Sequence, residues 1–115
     1  MVKKILVMDD YPAIVEIISK ELRGRGHDVT TASSGENALA ICRSTDFDVI
    51  ITDFSMPPGM HGIELARRIV VDLGKRPKIF MFTTNQFSLE EVGPYISAVF
   101  QKSLDLKLLE TAVEA

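Results

Sequence analysis

The stretch FDVIITDFSMPPGMHG, residues 47–62, decides the fold. Within it Val49, Ile50 and Ile51, closed by Thr52, form an apolar run too short for a helix and bounded by turn residues, which is the pattern of a fully buried strand in a parallel sheet. The run delivers a carboxylate, Asp53, to the point where the chain breaks into Met56, Pro57, Pro58 and Gly59. In open α/β sheets the carboxyl ends of the strands border the crevice where chemistry is placed. Asp53 is a candidate functional residue by position alone.

Outward from this stretch, strand and helix patterns alternate five times. Ile5, Leu6, Val7 and Met8 read as a buried strand ending in Asp9 and Asp10. Pro12 suits a first helical turn, Ile14, Ile17, Ile18 and Leu22 recur at helical spacing, and Gly24 and Gly26 stop the helix. The few residues left for a second strand, His27 to Thr31, are polar enough for a sheet edge. Ser33 or Ser34 can cap a second helix carrying Ala38, Leu39 and Cys42. Beyond the Pro-Gly loop, Ile63, Ala66, Ile69, Val70 and Leu73 mark a third helix closed by Gly74. Ile79 to Phe82 form a fourth strand ending at Thr83, and Ser88 with Glu91 is a capping box for a fourth helix that Pro94 limits. Ala98 to Gln101 make a fifth strand ending at Lys102, and Leu106, Leu109 and Val113 give a last helix its apolar face.

Alternating βα units with short connections predict an α/β doubly wound, five-stranded parallel sheet of strand order 2-1-3-4-5, with residues 1–115 as one domain. The net charge of −3 leaves no basic face to displace phosphate counterions, which argues against direct nucleic-acid binding. The apolar run at the N-terminus is too short for a signal peptide or a membrane span. Cys42 is the only cysteine, so no disulfide framework exists and a reducing cytoplasm is the simplest home.

In this order the ends of strands 1 and 3 are neighbours, so Asp9, Asp10 and Asp53 share one crevice, with Thr83 and Lys102 on its other wall. Crowded carboxylates are costly to leave ionised without a cation. Mg²⁺ suits them: it takes oxygen ligands and is usually held by one or two carboxylates plus a phosphate oxygen. With an ammonium and a hydroxyl added, the site matches a phosphoryl group, and Asp53 could attack phosphorus to give an aspartyl phosphate. Each residue also has a plainer reading. Asp9 and Asp10 can cap a helix, Asp53 alone can form a turn, Thr83 can simply end a strand, and Lys102 can be a structural partner of the acids. His27 and His61 lack metal-ligand spacing, and Cys42 on an apolar helix face reads as core packing.

Together, Asp9 and Asp10 after strand 1, Asp53 followed by Met56 and Pro57, Gly62 opening helix 3, Thr83 after strand 4 and Lys102 after strand 5 give the chain its resemblance to the response-regulator receiver domains of two-component signalling. The resemblance covers essentially the whole chain and implies a flavodoxin-like receiver fold. It implies that Asp53 takes a phosphoryl group from a histidine kinase or phosphotransfer protein with Mg²⁺ present, and that the domain signals rather than acting as an enzyme on a separate substrate. By the same resemblance Asp10, Asp53 and the backbone carbonyl of Ser55 ligate the metal, with Asp9 acting through water. Lys102 pairs with the acids and the phosphoryl group, and Thr83 donates its hydroxyl to a phosphoryl oxygen. An output partner is expected on the face of helix 4, strand 5 and helix 5.

Departures from the family pattern carry their own expectations. Val99 stands where many receivers have an aromatic residue, and Phe100 next to it points to the other face. Ser103 replaces the proline that commonly follows the lysine, and Thr84 stands where a smaller residue is common. The segment from Thr83 to Lys102 is short by about one helical turn and holds Gly93 and Pro94, so helix 4 should be abbreviated or broken, with Asn85 to Ile96 the most irregular part. These departures favour an alternative, a receiver-like interaction module that is not phosphorylated. An aspartyl-based phosphohydrolase normally wants a second carboxylate two residues after the nucleophile, where this chain has Ser55.

Overall fold

The computed structural model describes residues 2–54, 59–84, 89–102 and 106–115. Five strands, β1 (Lys4–Met8), β2 (Asp28–Ala32), β3 (Val49–Thr52), β4 (Lys78–Thr83) and β5 (Ala98–Gln101), form one parallel sheet in the order β2-β1-β3-β4-β5. The helices are α1 (Pro12–Gly24), α2 (Gly35–Ser44), α3 (Gly62–Arg67), α4 (Leu89–Val92) and α5 (Leu106–Glu114). Fold class and strand order are those the sequence predicts.

Alternation along the strands sorts the core into two faces. Leu6, Met8, Ile50, Ile79 and Met81 join Leu39 and Cys42 of α2 and Leu65 of α3 on one side. Ile5, Val7, Val49, Ile51, Phe80 and Phe82 join Ile18 and Leu22 of α1 and Leu109 and Val113 of α5 on the other. Each such side chain, fully buried, contributes roughly 1.5–3 kcal/mol. Val99 packs against the first cluster and Phe100 against the second, where its ring meets Phe80 edge-on at 5.6 Å. The expected separation of those two side chains is observed.

Local differences from the sequence reading are small and physical. Ile17 is exposed; α1 is rolled so that Ser19 is buried beside Ile18 and Leu22. Ser34, not Ser33, caps α2, its hydroxyl accepting from the Asn37 amide at 3.0 Å. The third helix is regular only to Arg67 and continues as a π-helical turn over Arg68–Asp72, in which the Leu73 amide donates to the Arg68 carbonyl. Gly74, at φ +68°, ends it as expected. The Lys75 amine then reaches the carbonyls of Cys42 and Thr45 and pairs with Asp46, closing the end of α2.

Among the described residues helix α4 covers four residues, Leu89–Val92, and stops at Gly93, whose φ of +83° a side-chain-bearing residue would strain to adopt. The abbreviated fourth helix is therefore present. Ser88 and the rest of 85–88 lie outside the described residues, as do 55–58 and 103–105.

Candidate functional site

Asp9, Asp53 and Lys102 come together because the same alternation that sorts the core places them on one face. They continue the rows Ile5–Val7, Val49–Ile51 and Ala98–Phe100, all on the α1–α5 side. The Lys102 ammonium lies 2.6 Å from Asp9 Oδ2 and 2.9 Å from Asp53 Oδ2, and all three side chains are nearly sealed from solvent. Asp9 Oδ1 accepts from the Tyr11 amide at 3.0 Å, and Asp53 Oδ1 accepts from the Phe54 amide at 2.7 Å. Asp10 completes the group: one carboxylate oxygen from each of Asp9, Asp10 and Asp53 lies within 4.8 Å of the others.

The electrostatics are unbalanced. Three carboxylates face one ammonium. Burial raises the Asp9 carboxyl above the usual range, and the hydrogen bonds from Lys102 and Tyr11 offset this only in part. Burial works against the Lys102 charge as well, but its hydrogen bonds to Asp9 and Asp53 and the negative charges of those carboxylates together outweigh that and hold its pKa above the ordinary lysine value. Lys102 is thus a fixed cation near neutral pH. Asp10 Oδ1 is buried and makes no hydrogen bond. A sealed, unpartnered carboxylate oxygen beside two further carboxylates fits a hard divalent cation, which takes oxygen donors and neutralises the excess charge.

The loop behind Asp53 is held by close contacts. The Gly62 amide donates to the Phe54 carbonyl at 2.8 Å, and a Cβ on Gly62 would stand 2.2 Å from the Asp53 carbonyl oxygen. Only glycine fits there, so helix α3 starts directly against the backbone of Asp53. His61 is the N-cap of that helix, its Nδ1 accepting from the Glu64 amide at 3.1 Å, and its ring stacks on Phe54 with centroids 5.0 Å apart. Glu36 of α2 accepts from the Met60 amide at 3.2 Å.

Thr83 is buried at the end of β4, and its carbonyl accepts from the Lys102 amide at 3.0 Å, which fixes the strand end that carries Lys102. Ser55, expected to offer a carbonyl, lies outside the described residues. Sequence reasoning missed Tyr11, whose amide orients Asp9 and whose ring lies 5.9 Å from the Lys102 ammonium. An aspartate accepting from the amide two residues on is a common turn, so the Asp-Asp-Tyr order held the signal. The reach of Glu36 to the loop had no local signal.

An acidic pocket at the carboxyl ends of β1 and β3, closed by a lysine after β5, defines an open α/β protein with its site at the topological switch point. A family model for the response regulator receiver domain matches residues 5–114, and the chain belongs to that family. It is 40% identical over 116 residues to chemotaxis protein CheY-3 of Vibrio cholerae, covering 89% of this chain and 88% of that one. Over 66 residues, 57% of this chain, it is 47% identical to the virulence sensor protein BvgS of Bordetella pertussis, of whose length that match spans 5%. The response regulator TrrA of Thermotoga maritima, solved in complex with Mg²⁺ and BeF, superposes with a TM-score of 0.87 at 33% identity, covering 97% of this chain and 96% of that one. Among the described residues no helix is long and apolar enough to cross a membrane.

Proposed function

We propose that Asp53 is the phosphoacceptor of a two-component phosphorelay. A histidine kinase or phosphotransfer protein presents a phosphohistidine; an Asp53 oxygen attacks phosphorus, the P–N bond breaks as the P–O bond forms, and the imidazole leaves. The observation that carries this reading is the seat of Asp53: its two oxygens are held by the Phe54 amide and the Lys102 ammonium, beside the unpartnered oxygen of Asp10. Asp10 and Asp53 would hold Mg²⁺ directly, with the Ser55 carbonyl, and Asp9 would act through water. The ion's contribution when bound is to neutralise the charge that gathers on the phosphoryl oxygens.

Within the chain, Lys102 exchanges its contact with the bare Asp53 carboxylate for a phosphoryl oxygen. Thr83 donates its hydroxyl to another such oxygen, and Asp9 holds Lys102 in place. This chemistry serves signalling, and the phosphorylated state changes what binds the face of α4, β5 and α5. The cytoplasm is the proposed setting, consistent with a lone thiol at Cys42 that burial pushes up to about 11. The short α4 favours the second reading, an interaction module that keeps the fold without phosphorylation.

Incubation with Mg²⁺ and acetyl phosphate, or with Mg²⁺ and beryllofluoride, decides between them. A Mg²⁺-dependent adduct by mass spectrometry or ¹⁹F NMR in the parent, absent in Asp53→Asn, is expected. No adduct in either protein would leave the second reading standing.

A further inference from the structure

The cleft between α1 and the free edge of β2 has no part in the acidic site. It encloses about 780 Å³ and is bordered by Glu16, Ser19, Lys20 and Arg23 of α1 and by Thr31 and Ser33. In a parallel ladder, alternate residues turn their backbone groups toward the same neighbour. The Asp28 amide donates to the Lys3 carbonyl, so Asp28, Thr30 and Ala32 face β1, while Val29, Thr31 and Ser33 face outward. Two outward groups are already closed: Arg23 donates to the Val29 carbonyl at 3.0 Å, and the Ser33 amide donates to Asn37 Oδ1 at 3.3 Å. Thr31, between them, is exposed, and its backbone has no partner among the described residues. Such an edge is a template for another strand unless charge, proline or a bulge blocks it, and β2 (DVTTA) carries none of these at Thr31.

The charges beside the edge say which strand fits. As the crossover between two parallel strands, α1 runs opposite to β2, so Glu16 lies toward the end of β2 and Lys20 and Arg23 toward its start. Glu16 and Lys20 are exposed, and neither forms an ion pair among the described residues. A two-fold axis through Thr31 exchanges the two ends of the edge. It brings the Glu16 end of each edge to the Lys20 end of the other, the self-complementarity an isologous interface needs. Ser19, which lines the same cleft, is buried and its hydroxyl has no hydrogen-bond partner among the described residues.

We propose that a second copy of this chain pairs with it edge to edge along β2, antiparallel, with Thr31 opposite Thr31 and Glu16 opposite Lys20. The two sheets then join into one. The strand is short and few hydrogen bonds are gained, so the pairing belongs to the weak class of interfaces. It does not depend on phosphotransfer.

Sedimentation equilibrium of the whole chain from about 10 µM to about 1 mM, a range that spans weak self-association, tests this. A monomer–dimer equilibrium is expected, weakened about tenfold in Kd by molar salt because exposed charges are screened. Glu16→Lys alone and Lys20→Glu alone each set like charges across the axis, and each should be monomeric. An equal mixture of the two variants restores both attractions and should form a heterodimer. Thr31→Pro, which removes an amide on the free edge only, should also be monomeric. A parent that stays monomeric throughout, a dimer that survives the charge changes, or a mixture that fails to recover association would overturn the proposal.

Discussion

Lys102 shows how much one side chain carries. Its ammonium is the only cation within reach of Asp9 and Asp53 among the described residues, and it is nearly as buried as they are. Lys102→Ala would leave two sealed carboxylates facing each other with Asp10 beside them. Breaking a buried pair in this way costs about 3 kcal/mol. We expect urea unfolding at pH 7 to show a loss of that order, shrinking as the pH falls and the carboxylates protonate, and partly recovered by Mg²⁺. An unchanged midpoint would mean that the pairing does not hold the pocket together. Gly62 makes a complementary point at the same scale, since its lack of a side chain lets α3 begin against the Asp53 carbonyl. That glycine could be read from its place in the family pattern, whereas the contact that demands it could not, because it joins residues nine positions apart across a loop.

At the scale of the element, α3 is pinned by a local charge cluster. Glu64 accepts from Arg67 and from Arg68, and the hydrogen bond from Arg67, then that from Arg68, lowers its pKa to about 2 from 4.5 against an opposing effect of burial. The folded state therefore favours ionised Glu64. Its contribution is fully present above pH 4.5 and is lost as the pH falls toward 2. Chemical denaturation of the parent and of Glu64→Gln across that window should show a stability gap that closes with acid. A gap independent of pH would refute the assignment. Because the cluster is exposed, added salt should narrow the gap as well. Helix α4 illustrates the opposite case: its stop at Gly93 follows from the short spacing and from Gly93 and Pro94, features plainly visible in the chain. The π-helical turn after Arg67 was not visible, since Ile69, Val70 and Leu73 suit a regular helix equally well.

For the whole molecule, a cation held by the acidic pocket would link its binding to folding. A cation that binds only the folded chain stabilises it by mass action, by about 1.4 kcal/mol at ten times its dissociation constant. MgCl₂ should raise the melting temperature over an EDTA control at matched ionic strength, and Asp10→Asn should abolish most of the rise. A rise equal in both proteins would place the ion elsewhere.

Much of this architecture was legible before any coordinates. Hydrophobic runs of period two and period 3.6 are properties of the chain, and short connections with right-handed crossovers leave few ways to arrange five βα units. The sequence by itself determined the strand order, the abbreviated fourth helix, and the arrival of Asp9, Asp10, Asp53, Thr83 and Lys102 at strand ends. Only the tertiary structure decided which side chains touch: that Lys102 bridges Asp9 and Asp53, that Asp10 keeps an unpartnered oxygen, that Tyr11 and Phe54 orient the acids, and that Thr31 is left open on the β2 edge. The reason is physical: periodicity is set by local backbone geometry, whereas a hydrogen bond between residues 49 positions apart exists only once the strands between them have taken their places in the sheet.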